Sequence, residues 1–374
     1  MDFQSRVSFL LDQIDTLYPQ ALVQERKARV TNFWDNKRAK DRIPHVVQNF
    51  PHPNDTTIPD DVNDWERDLL SQLYSIIGHA PWRDDYIPLL GNHGSQVMIP
   101  EYFGCVEEFA SLSQRTKEVI KDPKDVYDLP ELGFGPETWG GKRLDQMSWQ
   151  LEMTQGRIAI AETDMQGPFS VASQMWNVQD FLYAVYDYPD EVMHLLQLAA
   201  KAENLFLHLM YDTVGDLLSS CHCYPSIWMP PHHGVCISED LLAVVSPDIV
   251  SHYVNFGLEA VGKEMGGVLV HTCGSMNHSI SRLMEAPHLF GVNCSASETN
   301  IRDLVETGGT RVLYLNHSGT LTCNDLKPLD QWEQAALYRE VYADRVAGMA
   351  MINSIGLPWD AAQDAGRMEA MLAL

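Results

Sequence analysis

The sequence predicts an α/β fold: a single (β/α)8 TIM barrel carrying an N-terminal helical extension. Three observations carry that reading. From about residue 157 onward, short apolar runs alternate with longer stretches of helical periodicity, the pattern of a parallel sheet buried by helices. At 374 residues the chain has the length for one large barrel. No Gly-x-Gly-x-x-Gly follows a first strand, and nothing marks the switch point of a doubly wound sheet.

The elements follow in order. Val7, Leu10, Leu11, Ile14 and Leu17 recur at helical spacing until Pro19 stops the run, and a charged second helix passes through Arg26, Arg29, Phe33 and Trp34. Residues 42–53 read as extended. Trp65, Leu69, Leu70, Leu73 and Ile77 mark one face of a helix over residues 61–80. We therefore assign residues 1–80 to the extension and 81–374 to the barrel. Residues 122–141, rich in Asp, Pro and Gly, read as a long excursion. Beyond it, strands are predicted at Arg157–Thr163, Asp216–Ser220, Gly267–His271, Phe290–Cys294 and Arg311–Leu315. The helices between and after them fall on residues up to Tyr211, on 239–264, up to Glu285, on 298–307 and on 329–352.

Composition narrows the function. With 26 Lys+Arg against 51 Asp+Glu the formal net charge is −25, which disfavours nucleic acid, anionic membrane surfaces and polyanionic substrates. No run approaches the roughly 18–20 apolar residues that span a bilayer. The opening residues lack a basic segment followed by an apolar one, so no secretory signal is expected. Seven cysteines are odd in number and too few for a disulfide scaffold, which points to a reducing cytoplasm and free thiols. A small-molecule substrate is the expected partner.

In such barrels the chemistry lies at the C-terminal ends of the strands, so the polar residues that close each apolar run are the candidates. His271 and Cys273 close one run. Two residues apart on a strand, they face the same side and offer a nitrogen–sulfur pair to zinc or another thiophilic divalent ion. Asp164, with Gln166 close by, ends another run. His222 stands between Cys221 and Cys223 after a third, Cys294 ends a fourth, and Asn316 and His317 end a fifth, with Cys323 further on. A lone buried cysteine is ordinarily a small hydrophobe; several strands each ending in Cys, His or Asp form a constellation. Asn92 and His93 add a polar turn. We assign Asp164, His222 and His93 to catalysis, and Gln166, Asn92 and Asn316 to substrate binding. His271, Cys273, Cys323 and His317 are assigned to metal. His232 and His233 are adjacent in a loop and are set aside, since neighbouring histidines diverge.

These residues resemble the uroporphyrinogen decarboxylase superfamily over roughly residues 90–370, above all its cobalamin-dependent methyltransferase branch. Gly167-Pro168-Phe169-Ser170-Val171-Ala172 is similar to the superfamily's Gly-Pro-Phe-Thr-Leu-Ala turn, and Tyr188-Pro189-Asp190-Glu191-Val192 follows in place. Ile237-Ser238-Glu239-Asp240 with Val245-Ser246-Pro247 is similar to the methyltransferase branch, and His271-Thr272-Cys273-Gly274 to its His-x-Cys-Gly zinc motif. The resemblance implies a barrel in which zinc activates a thiol for methyl exchange with a corrinoid carried by a partner protein. It departs from the branch at one ligand. Ser354, in Ser354-Ile355-Gly356-Leu357-Pro358, stands where the branch has a cysteine, so a third ligand must come from Cys323, His317, His222 or Cys223. The decarboxylases' Arg-Gln-Ala-Gly-Arg segment has no counterpart around Arg42–Pro51, which speaks against porphyrinogen as substrate. The alternatives are a divergent decarboxylase or lyase acting on a small carboxylate or thiol compound, and a barrel that binds a metal or metabolite without turnover.

Overall fold

A computed structural model describes residues 2–36, 41–48, 58–92, 97–110, 113–219, 227–230, 233–295, 298–308, 312–316, 330–342, 348–353 and 361–373. The predicted N-terminal helices form at Phe3–Leu17 and Gln20–Asn36. Asp64–His79 is a third helix, closed at its start by a reciprocal cap in which Asn63 accepts from the Glu66 amide and Glu66 from the Asn63 amide.

Parallel strands dominate. A six-stranded sheet runs, edge to edge, through His45–Gln48, Gly348–Asn353, Val312–Asn316, Leu289–Ser295, Val268–His271 and Val235–Ser238. A three-stranded sheet holds Leu89–Asn92, Ala159–Thr163 and Leu218–Ser219, and an antiparallel hairpin, Val106–Ala110 with Ser113–Lys117, stands apart. The two parallel sheets are stitched at both flanks. On one, the Asp85 amide donates to the His45 carbonyl at 2.9 Å and the Val47 amide to the Asp84 carboxylate at 2.9 Å. On the other, Leu218–Ser219 is only two residues long, and other groups take over its ladder. The Cys236 amide donates to the Glu162 carboxylate at 2.7 Å, Ser238 donates to the Met165 carbonyl at 2.9 Å, and Gly167 donates to the Ser238 carbonyl at 2.7 Å.

The strand–helix rhythm read from the sequence is present, but Leu89–Asn92, the hairpin of Val106–Ala110 with Ser113–Lys117, and Val235–Ser238 are strands that the reading did not name, and two further differences stand out. The helix predicted over 329–352 stops at Tyr342, and Gly348–Asn353 is a strand. Its Met and Ala residues suit a helix equally well, but the segment is flanked on both sides by strands that supply ladder partners, and that tertiary pairing decides. The sheet also begins earlier than the 81–374 division, since His45–Gln48 lies in parallel register on Gly348–Asn353.

Helices pack on the sheets. The longest, Pro189–Val214, buries Phe206, Leu207 and Met210 in one apolar cluster with the strand residues Ile160, Ile237, Leu269 and Val292. Among the described residues no helix is long and apolar enough to cross a membrane.

Candidate active site

Register builds the site. At the C-terminal ends of adjacent strands, Gln166 pairs with Ser238, Ser238 with His271, and His271 with Asn293, a single row along the sheet edge. The chain then steps beyond the row: Ser238 leads to Glu239 and Asp240, and His271 to Thr272 and Cys273. Donor atoms of Asp240, His271 and Cys273 accordingly converge, all within 4.8 Å of one another.

Hydrogen bonds fix each donor. The His271 Nδ1 lies within hydrogen-bond distance of the Asn293 side-chain oxygen, and Asn293 is fully buried. With Nδ1–H donating there, Nε2 is left as a lone-pair donor, and it sits 3.1 Å from the Cys273 sulfur. Asp240 is held from two sides: its Oδ1 accepts from the Cys273 amide at 2.9 Å and its Oδ2 from the Gln166 side chain at 3.1 Å. Asp164 accepts from the Ser238 hydroxyl at 3.0 Å.

Behind this set lies Glu239, fully buried at the start of the helix Pro168–Met175. Its carboxylate accepts from the Phe169 amide (3.0 Å), the Ser170 amide (3.0 Å) and the Ser170 hydroxyl (2.7 Å), the place where a helix favours negative charge. Glycine at 167 is a matter of space: a Cβ there would lie 2.5 Å from the Glu239 Oε1. Burial nevertheless raises Glu239 to about 7, against the pull of those donors and with Asp240 adding to the rise. Glu203, on the Pro189–Val214 helix, is fully buried too, and its carboxyl is raised by that burial first and then by the Glu239 carboxylate.

Cys273 is exposed at the rim as a residue, but its sulfur is hemmed in. Burial of the sulfur first, then the carboxylates of Asp240, Glu298 and Asp164, push the thiol up to about 12. A thiol held protonated by surrounding acids is what a cation would release. The donor set (imidazole nitrogen, thiolate and carboxylate) suits zinc or a similar borderline ion. In tetrahedral zinc coordination nitrogen and sulfur stand about 3.5 Å apart, close to the spacing already present between His271 and Cys273. The residues fit the metal.

Of the residues assigned from the sequence, the structure brings Gln166, His271 and Cys273 together around Asp240, with Asp164 close enough to act on the Cys273 thiol. Asn92 is buried one sheet position away, its amide donating to the Ala161 carbonyl at 3.0 Å while its oxygen accepts from Arg143 at 3.3 Å. The strand Val312–Asn316 ends at Asn316, whose side chain lies outside the described part, as do His93, His222, Cys223, His317, Cys323 and Ser354. Sequence reasoning overlooked Asp240 and Asn293. Asp240 stood inside the quoted Ser238-Glu239-Asp240 stretch, and its place as third donor follows from the Ser238–His271 register.

A cleft of about 830 Å³ opens on the far side of Asp240 and Gln166, walled by Ser170, Gln174, Trp176 and Glu118 among others.

No protein-family model matches the sequence, and no curated protein does. Similarity appears in solved structures. A methyltransferase from Methanosarcina mazei superposes with a TM-score of 0.64 at 15% identity, covering 92% of this chain and 97% of that one. A B12-independent methionine synthase from Shewanella sp. W3-18-1, in complex with selenomethionine, superposes more loosely. Its TM-score is 0.49 at 10% identity, over 89% of this chain and 96% of that one. The resemblance seen in the motifs thus holds at the level of the fold, shared with the Methanosarcina methyltransferase.

Proposed function

We propose that this chain is a metal-dependent methyltransferase on a closed (β/α)8 barrel, moving a methyl group between a corrinoid on a partner protein and a small thiol. One observation carries the reading: three donors of borderline chemistry converge at the C-terminal strand ends, each held by a second residue. The shared fold with a methyltransferase and the ordered motifs agree with it.

His271, Cys273 and Asp240 would hold the metal. A zinc ion there would supply a Lewis acid that keeps a substrate thiol as thiolate at neutral pH. The protein's own part is orientation. Asn293 fixes the His271 tautomer, and Gln166 with the Cys273 amide sets both oxygens of Asp240. The cleft alongside gives a small molecule a route to the same carboxylate. The buried thiols Cys105, Cys236 and Cys294, which form no disulfide among the described residues, suit a reducing cytoplasm.

The test is elemental analysis of purified protein together with methyl transfer from methylcobalamin to 2-mercaptoethanol. One equivalent of zinc is expected in the wild type, lost with the activity in Cys273→Ser. Metal-free enzyme that still transfers, or full zinc in Cys273→Ser, overturns the mechanism.

A further inference from the structure

The cleft beside the candidate metal donors is larger than a small thiol requires. At about 830 Å³ it has the capacity of a pocket for a drug-sized ligand, and a thiol of a few heavy atoms would fill little of it. The helix Pro168–Met175 and the hairpin strand Ser113–Lys117 both contribute to its lining, together with Gln166 and Asp240. That lining spends its hydrogens on the protein. The Ser170 hydroxyl donates to the Glu239 carboxylate at 2.7 Å and the Ser173 hydroxyl to the Ser170 carbonyl at 2.7 Å. The Thr116 hydroxyl donates to the Gln174 carbonyl, and the Gln166 side-chain amide to Asp240. Each of the four groups keeps oxygen lone pairs on the lining. The Gln174 side-chain oxygen, on the same lining, is buried and has no donor among the described residues, a state that costs free energy until a donor reaches it.

These walls call for hydrogen-bond donors more than for charge. The Glu118 carboxylate on the hairpin side is matched by Lys121 at 2.8 Å, and Glu108 is exposed, where solvent screens it. Asn177, exposed farther along the lining, accepts from the Gln179 amide at 3.0 Å with its side-chain oxygen and so keeps its own amide hydrogens to donate. Hydroxyl groups meet both demands, donating to the oxygens and accepting from Asn177, whereas an ammonium group only donates. We propose that the cleft binds a polyhydroxylated tail of the substrate, so that the thiol brought to the metal is carried on a sugar-like skeleton. This rests on the methyl-transfer reading and names its substrate class. Ser173 and Thr116 are here specificity residues, touching the tail and not the reacting sulfur.

The experiment is calorimetric titration of zinc-loaded protein with three thiols: 1-thio-β-D-glucose, its tetra-O-methyl derivative and 2-mercaptoethanol. The methylated sugar keeps the ring and the thiol but has no hydroxyl to donate. Thioglucose is expected to bind about tenfold tighter than either of the other two. Ser173→Ala, which removes one acceptor from the lining, should narrow the ratio between thioglucose and its methylated form about threefold. The wild-type comparison needs no variant, so a misfolded Ser173→Ala does not spare the proposal. Methylated sugar or 2-mercaptoethanol binding as tightly as thioglucose overturns the tail assignment alone and leaves the metal centre standing. A ratio unmoved in folded Ser173→Ala would trace the preference to size and equally overturn the assignment. Failure to retain zinc, or to bind any of the three thiols, overturns it together with the metal centre.

Discussion

Replacing Gly167 by alanine should be among the most damaging single-methyl changes available. The added Cβ would stand 2.5 Å from the Glu239 Oε1 and 2.9 Å from its Cδ and Cγ. Glu239 has little room to retreat, because its carboxylate is fixed by two backbone amides and the Ser170 hydroxyl, and its own amide donates to the His271 carbonyl at 2.8 Å. Overpacking in a filled interior costs about 1–3 kcal/mol, and a disturbed helix cap about 0.5–2 kcal/mol, so a loss of about 2–4 kcal/mol follows. Urea unfolding at fixed pH measures it, with Gly135→Ala as control, since a Cβ at Gly135 meets nothing within 4 Å. The control should stay within about 0.5 kcal/mol of wild type. Because Asp240 follows Glu239 directly, zinc affinity should fall in the same variant. A Gly167→Ala protein as stable as Gly135→Ala would show that Glu239 moves freely, and the account of the Gly-Pro-Phe-Ser turn would be wrong.

Other expectations can be checked alongside. Asn293→Ala should weaken zinc binding about 10–100-fold by freeing the His271 tautomer, read by competition with a chromophoric chelator; unchanged affinity would deny Asn293 that role. Asp240→Asn should lose zinc while Ser238→Ala, which removes the hydroxyl that donates to Asp164, retains it; the reverse pattern would point to Asp164 as the ligand. Glu239 is raised from 4.5 to about 7, so it binds a proton in the folded state that the unfolded chain releases. Its contribution is fully present below about pH 4.5 and lost as pH rises through about 7. At about 1.4 kcal/mol per pH unit the decline is on the order of 3 kcal/mol. Glu203 adds in the same direction. Unfolding of the metal-free protein followed from pH 5 to pH 8 should show stability falling, and a rise across that range would exclude the assignment.

Much of the fold was legible because its signals are local. The helices Phe3–Leu17 and Asp64–His79 announce themselves through apolar spacing and a capping pair, and the short strands through apolar runs between helical stretches. Gly348–Asn353 was not legible, since nothing within Gly-Met-Ala-Met-Ile-Asn separates strand from helix; its neighbours on either side do. The site divides the same way. His271 and Cys273 are two residues apart, so strand geometry alone sets them together. Asp240 lies 33 residues before Cys273 and Asn293 lies 22 after His271, and only the register of three strands sets them beside that pair.

The flank of the sheet at Leu218–Ser219 bears on how this protein can change over evolutionary time. There a side-chain carboxylate, Glu162, with the Met165 carbonyl and the Gly167 amide, does what a continuous backbone ladder does elsewhere. A ladder binds two strands residue by residue, so a length change on one side shifts every pair beyond it. A joint made by one side chain and a single backbone bridge, Gln166 with Ser238, fixes far fewer pairs. The Ser238–His271 pairing that brings the candidate metal donors together is anchored from its other edge, by the register with Leu289–Ser295. Side chains of Leu218–Ser219 can therefore drift, or be rewritten by design, without displacing Asp240.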